Sequence, residues 1–381
     1  MSCPIYILDG GLGTTLEDEY HIKFTSAATP LWSSHLLVSD PATLTQCQAD
    51  FAACPVDVLM TATYQASIES FGRTCTAAHP SGIPADAVPG YIDLALQTSR
   101  AAAQRAPAPH APPAVALSLG PYGATMVPST EYSGAYDAAG GSVELLTAWH
   151  TRRLALFLRR LRTRSAPRFW AFETVPRVDE ILAVRRVLDS AAAIQAQAIS
   201  EATDADRTAD ADFDASVEAA GVPPRTWIAC VFPVVDDGAE SLLPDGNTVA
   251  VAVDAMLSKA HGAARPWGVG INCTKIAQTP DLVRAFAAAV ARLVAAGDLD
   301  KWPALVLYPD GTNGEVYNTR SQKWEPEGGL PLGDRESWEM QLAKVVRMAR
   351  EEGQWEAILV GGCCKASSKE IRRLVGHVRQ E

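Results

Sequence analysis

Short apolar runs alternate along this chain with longer stretches in which apolar residues recur at helical spacing. The short runs are almost continuously apolar, which is typical of strands buried on both faces of a parallel sheet. Each is followed by a helical pattern, and strict β-then-α alternation predicts a sheet covered by helices. Eight strands are predicted: Ile5–Asp9, Val56–Tyr64, Ala114–Gly120, Phe169–Glu173, Thr226–Phe232, Gly268–Cys273, Ala304–Tyr308 and Ala357–Gly362.

Eight βα units favour one α/β domain over residues 1–381, a single (β/α)8 barrel of the TIM type. A doubly wound open sheet is the alternative. Its phosphate-binding fingerprint is missing, however, because the Gly-x-Gly near the start continues as Thr14-Thr15 instead of opening a glycine-spaced helix.

Helix starts and one unusual segment complete the predicted organisation. Asp40-Pro41 predicts an N-cap and a first-turn proline before a helix that ends near Cys54, and Thr279-Pro280 predicts the same for a later helix. Ser367 and Glu370 have the spacing of a capping box. Residues 191–224 are rich in Ala and Asp, and we expect an extension of the fourth helix followed by an acidic loop.

Composition narrows the class of protein. The formal charge of −11 argues against nucleic acid or an anionic membrane as a partner. The chain contains no apolar run of about 18 residues, and its first residues lack the basic and apolar regions of a signal peptide. We therefore expect a cytoplasmic protein that acts on small molecules, and in a reducing compartment clustered cysteines indicate a metal or a reaction.

Three of the eight cysteines follow predicted strands. Cys273 ends the strand that begins at Gly268, and Cys363 and Cys364 come directly after Gly361-Gly362 at the end of the last strand. Paired glycines let the backbone turn where a β-carbon would clash, so the neighbouring thiols can converge. Three thiolates at strand ends, with no fourth ligand in view, predict a catalytic zinc site that keeps one position open.

Two carboxylates also come at strand ends. Asp9 precedes Gly10-Gly11 after the first strand, and Glu173 ends the fourth strand among apolar residues. Period-two alternation places Asp9 on the face of Ile5 and Ile7, and Glu173 on the face of Phe169 and Ala171, so both are expected to point to the mouth of the barrel.

With these motifs in place, the chain resembles the homocysteine S-methyltransferase family. The similarity rests on Asp9-Gly-Gly-Leu-Gly-Thr14, Thr63-Tyr-Gln65, Gly120-Pro-Tyr-Gly-Ala124, Glu131-Tyr132, Phe172-Glu-Thr174, Asp245-Gly246, Gly270-Ile-Asn-Cys273, Tyr308-Pro309 and Gly361-Gly-Cys-Cys364. One motif departs from the pattern, because Asp310-Gly-Thr-Asn-Gly-Glu315 stands where the family usually has Asn followed closely by Gly-Glu.

The resemblance implies a zinc-dependent barrel in which Cys273, Cys363 and Cys364 hold Zn²⁺ and in which Asp9 and Glu173 bind homocysteine. The ammonium group of homocysteine needs carboxylates, and its carboxylate needs N–H donors, which the Gly10-Gly11 turn can supply. The aromatic faces of Tyr64 and Tyr132 are available to hold a cationic methyl donor.

The methyl donor is the least constrained part of the prediction. A chain of this length has no room for folate and cobalamin domains, and the Gly120 and Glu131-Tyr132 motifs resemble the branch that uses S-methylmethionine or S-adenosylmethionine. Betaine is the nearest alternative donor. A non-enzymatic barrel whose cysteines form a zinc or thiol redox switch is the alternative from another class, and a metal-dependent hydrolase is disfavoured because such sites prefer His and carboxylate ligands.

Overall fold

Eight parallel strands form one sheet that curves round on itself. This computed structural model describes residues 3–25, 28–158, 167–200, 224–234, 239–312, 314–318, 323–326 and 336–379. The barrel strands are β1 Ile5–Ile7, β2 Val58–Met60, β3 Ala114–Leu119, β4 Phe169–Val175, β5 Arg225–Cys230, β6 Gly268–Asn272, β7 Ala304–Tyr308 and β10 Ile358–Val360. Between β7 and β10 an antiparallel hairpin, β8 Glu315–Asn318 and β9 Lys323–Pro326, was not predicted.

The order of neighbours in the sheet is β1, β10, β7, β6, β5, β4, β3, β2. The two end strands meet through a parallel bridge between Leu8 and Val58. Backbone hydrogen bonds extend this seam, from Asp57 N to Ile7 O at 2.8 Å and from Asp9 N to Val58 O at 3.1 Å. The predicted (β/α)8 barrel is therefore confirmed.

All eight predicted barrel strands are present, but several end earlier than expected. The clearest case is β2, predicted to reach Tyr64 and observed to end at Met60. Beyond it, the hydroxyls of Thr61 and Thr63 hydrogen-bond to each other at 2.6 Å, and the Thr63 hydroxyl donates to Ser118 O at 2.7 Å. Side-chain hydrogen bonds thus replace the backbone ladder at the mouth of the barrel.

Helices cover the outside of the sheet. They are α1 Leu12–Asp18, α2 Leu36–Ser39, α3 Pro41–Ala52, α4 Ile68–Gly72, α5 Val88–Ala103, α6 Val143–Leu158, α7 Val178–Ser200, α8 Val249–Leu257, α9 Thr279–Ala295, α10 Trp338–Glu352 and α11 Ser368–Arg379. The larger apolar core lies between these helices and the strands. No helix among the described residues combines the length and apolarity that crossing a bilayer requires.

The predicted helix starts are right at two of three positions. Asp40 caps α3 by accepting a hydrogen bond from Thr43 N at 3.0 Å, and Glu370 reaches back to Ser367 N at 3.0 Å at the start of α11. Thr279 is different because it lies inside α9, where its hydroxyl donates to Lys275 O at 3.2 Å. Thr279 has helical backbone angles (φ −59°, ψ −39°), whereas an N-cap residue has non-helical ones, so Thr279 is the first residue of the helix and not its cap.

The predicted insertion at 191–224 is described only in its first part. α7 continues to Ser200, which agrees with the expected extension of the fourth helix. The predicted acidic loop falls on residues 201–223, which lie outside the described part of the chain.

Packing inside the barrel shows that period-two alternation gave the right side-chain direction for Glu173 but the wrong reason for Asp9. The interior cluster consists of Leu8, Val58, Ala116, Ala171, Trp227, Ala229, Val306, Tyr308 and Leu359. Ala171 in this cluster confirms the inward face for Glu173. Ile7 instead packs with the helix-facing core, so Asp9 does not share an inward face with it. β1 ends at Ile7, so the alternation of side chains along a strand no longer applies at Asp9. The Asp9 carboxylate can therefore turn inward.

Gly270 in β6 provides a test of the close packing of the sheet. A β-carbon at this position would lie 1.8 Å from the carbonyl oxygen of Val306 on β7. We expect Gly270→Ala to lower the free energy of unfolding by about 1–3 kcal/mol, because the neighbouring backbone must move. Gly376→Ala is the control, since a β-carbon there meets nothing within 4 Å and Ala favours a helix by up to about 1 kcal/mol. Equal urea midpoints for the two variants would contradict this account.

Candidate active site

A cavity of about 1490 Å³ opens at the carboxyl ends of the strands. Its wall is drawn from the carboxyl ends of all eight barrel strands and the segments that follow them, including Val231 after β5 and Asp310 after β7. Asp9, Gly10, Gly11, Tyr64, Tyr132, Glu173, Cys273, Cys363 and Cys364 all line it. Every site residue predicted from the sequence therefore lies at one cavity, although the chain separates the first from the last by more than 350 positions.

The three predicted cysteines form one cluster. The Sγ atoms of Cys273, Cys363 and Cys364 all lie within 4.8 Å of one another. Cys273 and Cys363 are joined as a disulfide, with their Cα atoms 5.5 Å apart. Within the described ranges, this is the group of three or more His, Cys, Asp or Glu side chains that has the geometry to hold a metal ion.

Asn272 and Thr174 fix the position of Cys273. The Asn272 side chain accepts a hydrogen bond from Thr174 N at 2.7 Å and donates to the Thr174 hydroxyl at 2.8 Å. Its amide nitrogen also lies 3.4 Å from the sulfur of Cys273. Both Thr174 (φ 60°) and Cys273 (φ 49°) have left-handed backbone conformations, which non-glycine residues adopt only under strong local constraint.

The glycines before Cys363 allow close approach, and neither has a positive φ. A β-carbon at Gly361 would lie 2.6 Å from the carbonyl oxygen of Asp9, and one at Gly362 would lie 2.2 Å from the β-carbon of Ala366. Gly362 N donates to Asp9 O at 3.1 Å. The predicted convergence of thiols is present, and its physical cause is tight packing of the last strand against the first.

The two predicted carboxylates are both buried at the cavity. Asp9 Oδ2 accepts a hydrogen bond from Met60 N at 2.8 Å, while Oδ1 has no partner among the described residues. Burial, with a smaller contribution from the charge of Glu173, raises the pKa of Asp9 to about 8. Burial likewise raises the pKa of Glu173 to about 7, against hydrogen bonds from Ser118 and Tyr308 that favour the charged form. Both groups favour a cation beside them.

Gly10 and Gly11 line the cavity, but the Gly11 N–H is already used. It donates to Ala366 O at 2.9 Å, so it is not free for a substrate carboxylate. A β-carbon at Gly11 would lie 2.3 Å from the carbonyl oxygen of Cys363. The visible role of Gly11 is therefore close packing beside the cysteines, and substrate binding by the Gly10 N–H stays a prediction.

Tyr64 and Tyr132 stand on the side of Cys364. The hydroxyl of Tyr64 hydrogen-bonds with Thr174, and that of Tyr132 with the Cys364 thiol. Tyr132 is 51% exposed overall and lines the cavity. Burial of the hydroxyls raises the pKa of both tyrosines well above its usual range, and they stay neutral hydrogen-bonding groups.

Three supporting residues were not predicted. Ser118 and Tyr308 both hydrogen-bond to Glu173, from the neighbouring strand and from across the barrel. Arg153 on α6 is buried and donates to the carbonyls of Tyr64 at 2.7 Å and Ala66 at 2.8 Å, which holds the segment after β2 in place. Tyr308 was visible as a polar strand end, whereas Arg153 lies within a helical pattern and gave no comparable signal.

Asp310, the residue that departs from the family pattern, lies at the same cavity. It forms an ion pair with Lys275 at 3.4 Å and accepts a hydrogen bond from Thr312 N at 3.2 Å. Burial raises the pKa of its carboxyl, and the Lys275 charge opposes that shift. Its charge is therefore balanced within the protein, unlike that of Asp9.

Comparison with known proteins agrees with this geometry. The model of the homocysteine S-methyltransferase family matches residues 6–378, nearly the whole chain. The chain belongs to this family. It is therefore a methyltransferase, and the resemblance inferred from the motifs is confirmed.

Relatives of this methyltransferase match along most of their length. Homocysteine S-methyltransferase 2 of Zea mays is 26% identical over 373 residues, which cover 97% of this chain and 88% of the relative. Betaine-homocysteine S-methyltransferase of Drosophila melanogaster is 24% identical, with 97% and 92% covered. The metallated form of the homocysteine methyltransferase MmuM from Escherichia coli superposes with a TM-score of 0.63 at 22% identity, with 99% and 96% covered, and supports the fold.

The raised pKa of Asp9 predicts a pH-dependent stability in the metal-free methyltransferase. An aspartate with a folded pKa of about 8 and an unfolded pKa of about 3.9 favours folding when protonated, so stability falls as pH rises through that interval. Asp9→Asn cannot ionise. The free energy of unfolding of Asp9→Asn minus that of the wild type is therefore expected to increase by about 1 kcal/mol or more from pH 5 to pH 8.5.

The control for this comparison is Asp86→Asn, which changes an exposed aspartate in the same way. The difference in free energy of unfolding between Asp86→Asn and the wild type should be the same at both pH values. Urea denaturation at the two pH values measures both variants. A constant difference between Asp9→Asn and the wild type would show that the buried carboxyl does not have the raised pKa.

Proposed function

We propose that this chain transfers a methyl group from a sulfonium donor, S-methylmethionine or S-adenosylmethionine, to the thiol of L-homocysteine, and that it depends on zinc. The observation that carries the proposal is the position of three thiols beside two buried carboxylates at one barrel mouth. The thiols suit a metal that binds sulfur. The carboxylates suit the ammonium group of the amino acid that brings the reacting sulfur.

The donor set fits zinc. Tetrahedral zinc with Zn–S bonds of about 2.3 Å places its sulfur ligands about 3.8 Å apart. The three Sγ atoms lie within 4.8 Å of one another, so the reduced cluster needs only side-chain adjustment to take the ion. Three thiolates and no histidine select zinc over the hard cations that prefer oxygen.

When bound, zinc lowers the pKa of a coordinated thiol and so supplies homocysteine as a thiolate at neutral pH. Without a metal, the protein has the opposite effect on the Cys364 thiol, because burial raises the pKa of Cys364 to about 12. The Tyr132 hydroxyl opposes this shift by hydrogen-bonding to the sulfur. The Asn272 amide holds the sulfur of Cys273, so the position of one of the three sulfurs is fixed.

Asp9 and Glu173 bind the ammonium group of homocysteine in this proposal. Each carboxyl has a pKa raised by burial in the empty site, so an arriving cation restores the charged form that burial opposes. Asp9 Oδ1 lacks a donor among the described residues, and an ammonium N–H is the missing partner. Ser118 and Tyr308 orient the Glu173 carboxylate toward it.

The transfer itself balances without a general acid. The homocysteine thiolate forms a bond to the methyl carbon while the bond from that carbon to the donor sulfonium breaks, and its electron pair stays on the donor sulfur. With S-methylmethionine both products are methionine, and one proton leaves from the homocysteine thiol. Catalysis is then alignment of the two sulfurs and the methyl group, with Tyr64 and Tyr132 beside the cation.

Betaine is the second candidate donor, because a relative from Drosophila melanogaster bears the name betaine-homocysteine S-methyltransferase. It too carries a cation that the tyrosine faces suit. Its reaction would transfer the methyl group from nitrogen to sulfur and leave dimethylglycine. The choice between the two donor classes rests on the experiment below.

The metal assignment predicts one zinc per chain in the reduced protein. We expect Cys363→Ser to lose both bound zinc and methyl transfer while remaining folded, because two thiolates are left. Zinc content by elemental analysis, circular dichroism and methionine formation measure the three properties. Cys75→Ser changes an exposed cysteine away from the cluster and should retain all of them. Normal zinc in Cys363→Ser would defeat the assignment.

The donor prediction is tested with zinc-loaded, reduced protein. Homocysteine is supplied with S-methylmethionine, S-adenosylmethionine, betaine or a methyl-folate in turn, and methionine formation is followed. We expect the highest kcat/KM with S-methylmethionine, a lower value with S-adenosylmethionine and no turnover with the other two. Turnover with betaine at an equal or higher rate would overturn the choice of donor class, and no methionine from any donor would overturn the function.

A further inference from the structure

Glu131 is a third buried carboxylate at the cavity. The residue is only 7% exposed, and no hydrogen bond of normal geometry from the described residues reaches its Oε2 atom. Ser129 and its own backbone N–H support the charged form, but burial outweighs them and raises the pKa of the carboxyl. A buried carboxylate oxygen without a donor is costly unless a ligand completes it.

The segment that carries Glu131 is firmly held. Thr130 N donates to Gly123 O at 3.0 Å, and Gly134 N donates to Thr130 O at 2.8 Å on either side of Glu131. Farther along, the Tyr136 hydroxyl hydrogen-bonds to the buried carboxylate of Glu180 on α7. The Glu131 carboxylate is therefore presented by an ordered segment, as a binding group requires.

Glu131 acts on a different side of the cavity from the proposed homocysteine carboxylates. It directly precedes Tyr132 in the segment between β3 and α6, and both residues line the cavity. Asp9 instead follows β1, where it accepts a hydrogen bond from Met60 N at 2.8 Å, and Glu173 lies in β4. The cavity thus presents one carboxylate pair at the ends of β1 and β4, and a separate carboxylate beside the tyrosines that face the donor.

The side chains that line the cavity carry an excess of negative charge, which favours the binding of more than one cationic group. Six carboxylates line it, against three lysines. Two of those lysines already form ion pairs, Lys275 with Asp310 at 3.4 Å and Lys365 with Asp18 at 2.6 Å. Homocysteine brings one ammonium group, which the Asp9 and Glu173 pair accounts for.

We propose that Glu131 binds the α-ammonium group of the methyl donor and so selects donors that are themselves amino acids. The inference rests on the proposed methyl transfer and deepens it. Glu131 Oε2 needs an N–H donor, which S-methylmethionine and S-adenosylmethionine have on their α-carbon. The quaternary nitrogen of betaine has no N–H, so it cannot complete this oxygen, although it carries the same charge.

The first test compares zinc-loaded Glu131→Gln with the wild type. We expect the KM for S-methylmethionine to rise on the order of 10-fold or more, because a charge-assisted hydrogen bond is lost, while the KM for homocysteine changes less than about twofold. Glu173→Gln is the reciprocal variant and should raise the KM for homocysteine instead. Glu144→Gln makes the same change at an exposed site on α6 and is the control for folding and zinc content.

The second test changes the ligand. Dimethylsulfoniopropionate has the same sulfonium group but no α-ammonium, and its inhibition constant against S-methylmethionine is measured in both proteins. We expect it to bind the wild type and Glu131→Gln equally, within about twofold, because it never contacts the altered group. A role of Glu131 in merely supporting Tyr132 would weaken the analogue and S-methylmethionine alike.

The outcomes separate the inference from the function it rests on. An unchanged KM for S-methylmethionine in folded, zinc-loaded Glu131→Gln overturns the assignment of Glu131, and so does a loss confined to homocysteine. Equal weakening of the analogue overturns it as well. Failure of the wild type to form methionine from any donor would instead remove the proposed function.

Discussion

The active site depends on the close packing of the last barrel strand against the first. Gly362 N donates to Asp9 O, and Gly11 N donates to Ala366 O, so the segments after β10 and β1 are bonded directly to each other. Glycine is required in both because a β-carbon would collide with the opposite segment. This seam places the paired cysteines beside Asp9, so the cysteine cluster and the buried carboxylates line one cavity.

Burial of acidic groups is the second constraint, and it makes their charged forms electrostatically unfavourable. Asp9, Glu173, Glu131 and Cys364 all have a pKa raised by burial. Such an arrangement is destabilising alone and becomes favourable when cations enter, which is a common relation between stability and function at active sites. Arg153 supports the surrounding backbone through hydrogen bonds to carbonyl oxygens, and its charge opposes only part of the rise that burial causes in the pKa of Glu173.

The two sides of the cavity rest on different kinds of structure. Glu173 lies in β4, Cys273 directly follows β6, and Asp9 comes two residues after β1, so the sheet supports all three. Tyr132 and Glu131 stand on the long segment between β3 and α6, which is braced through Glu180. In a barrel such segments can change without disturbing the sheet. If the proposed assignment holds, the acceptor side rests on the sheet and the donor side on this segment, so a change of donor would not require a change in the sheet.

The sequence by itself determined the barrel, its eight strands and the residues at its working end. Apolar runs, βα alternation and polar residues after strands are local patterns, and the side chains of Cys273, Glu173 and Cys363 follow directly from them. Only the tertiary structure decided where β2 ends, why Asp9 turns inward and that the Gly11 N–H is already used. The same is true of the partners of Arg153, which nothing beside it in the chain indicates, and of the lack of a donor for Glu131 Oε2 among the described residues. These features depend on contacts between distant segments, and local periodicity carries no information about which distant atom occupies a given hydrogen-bond position.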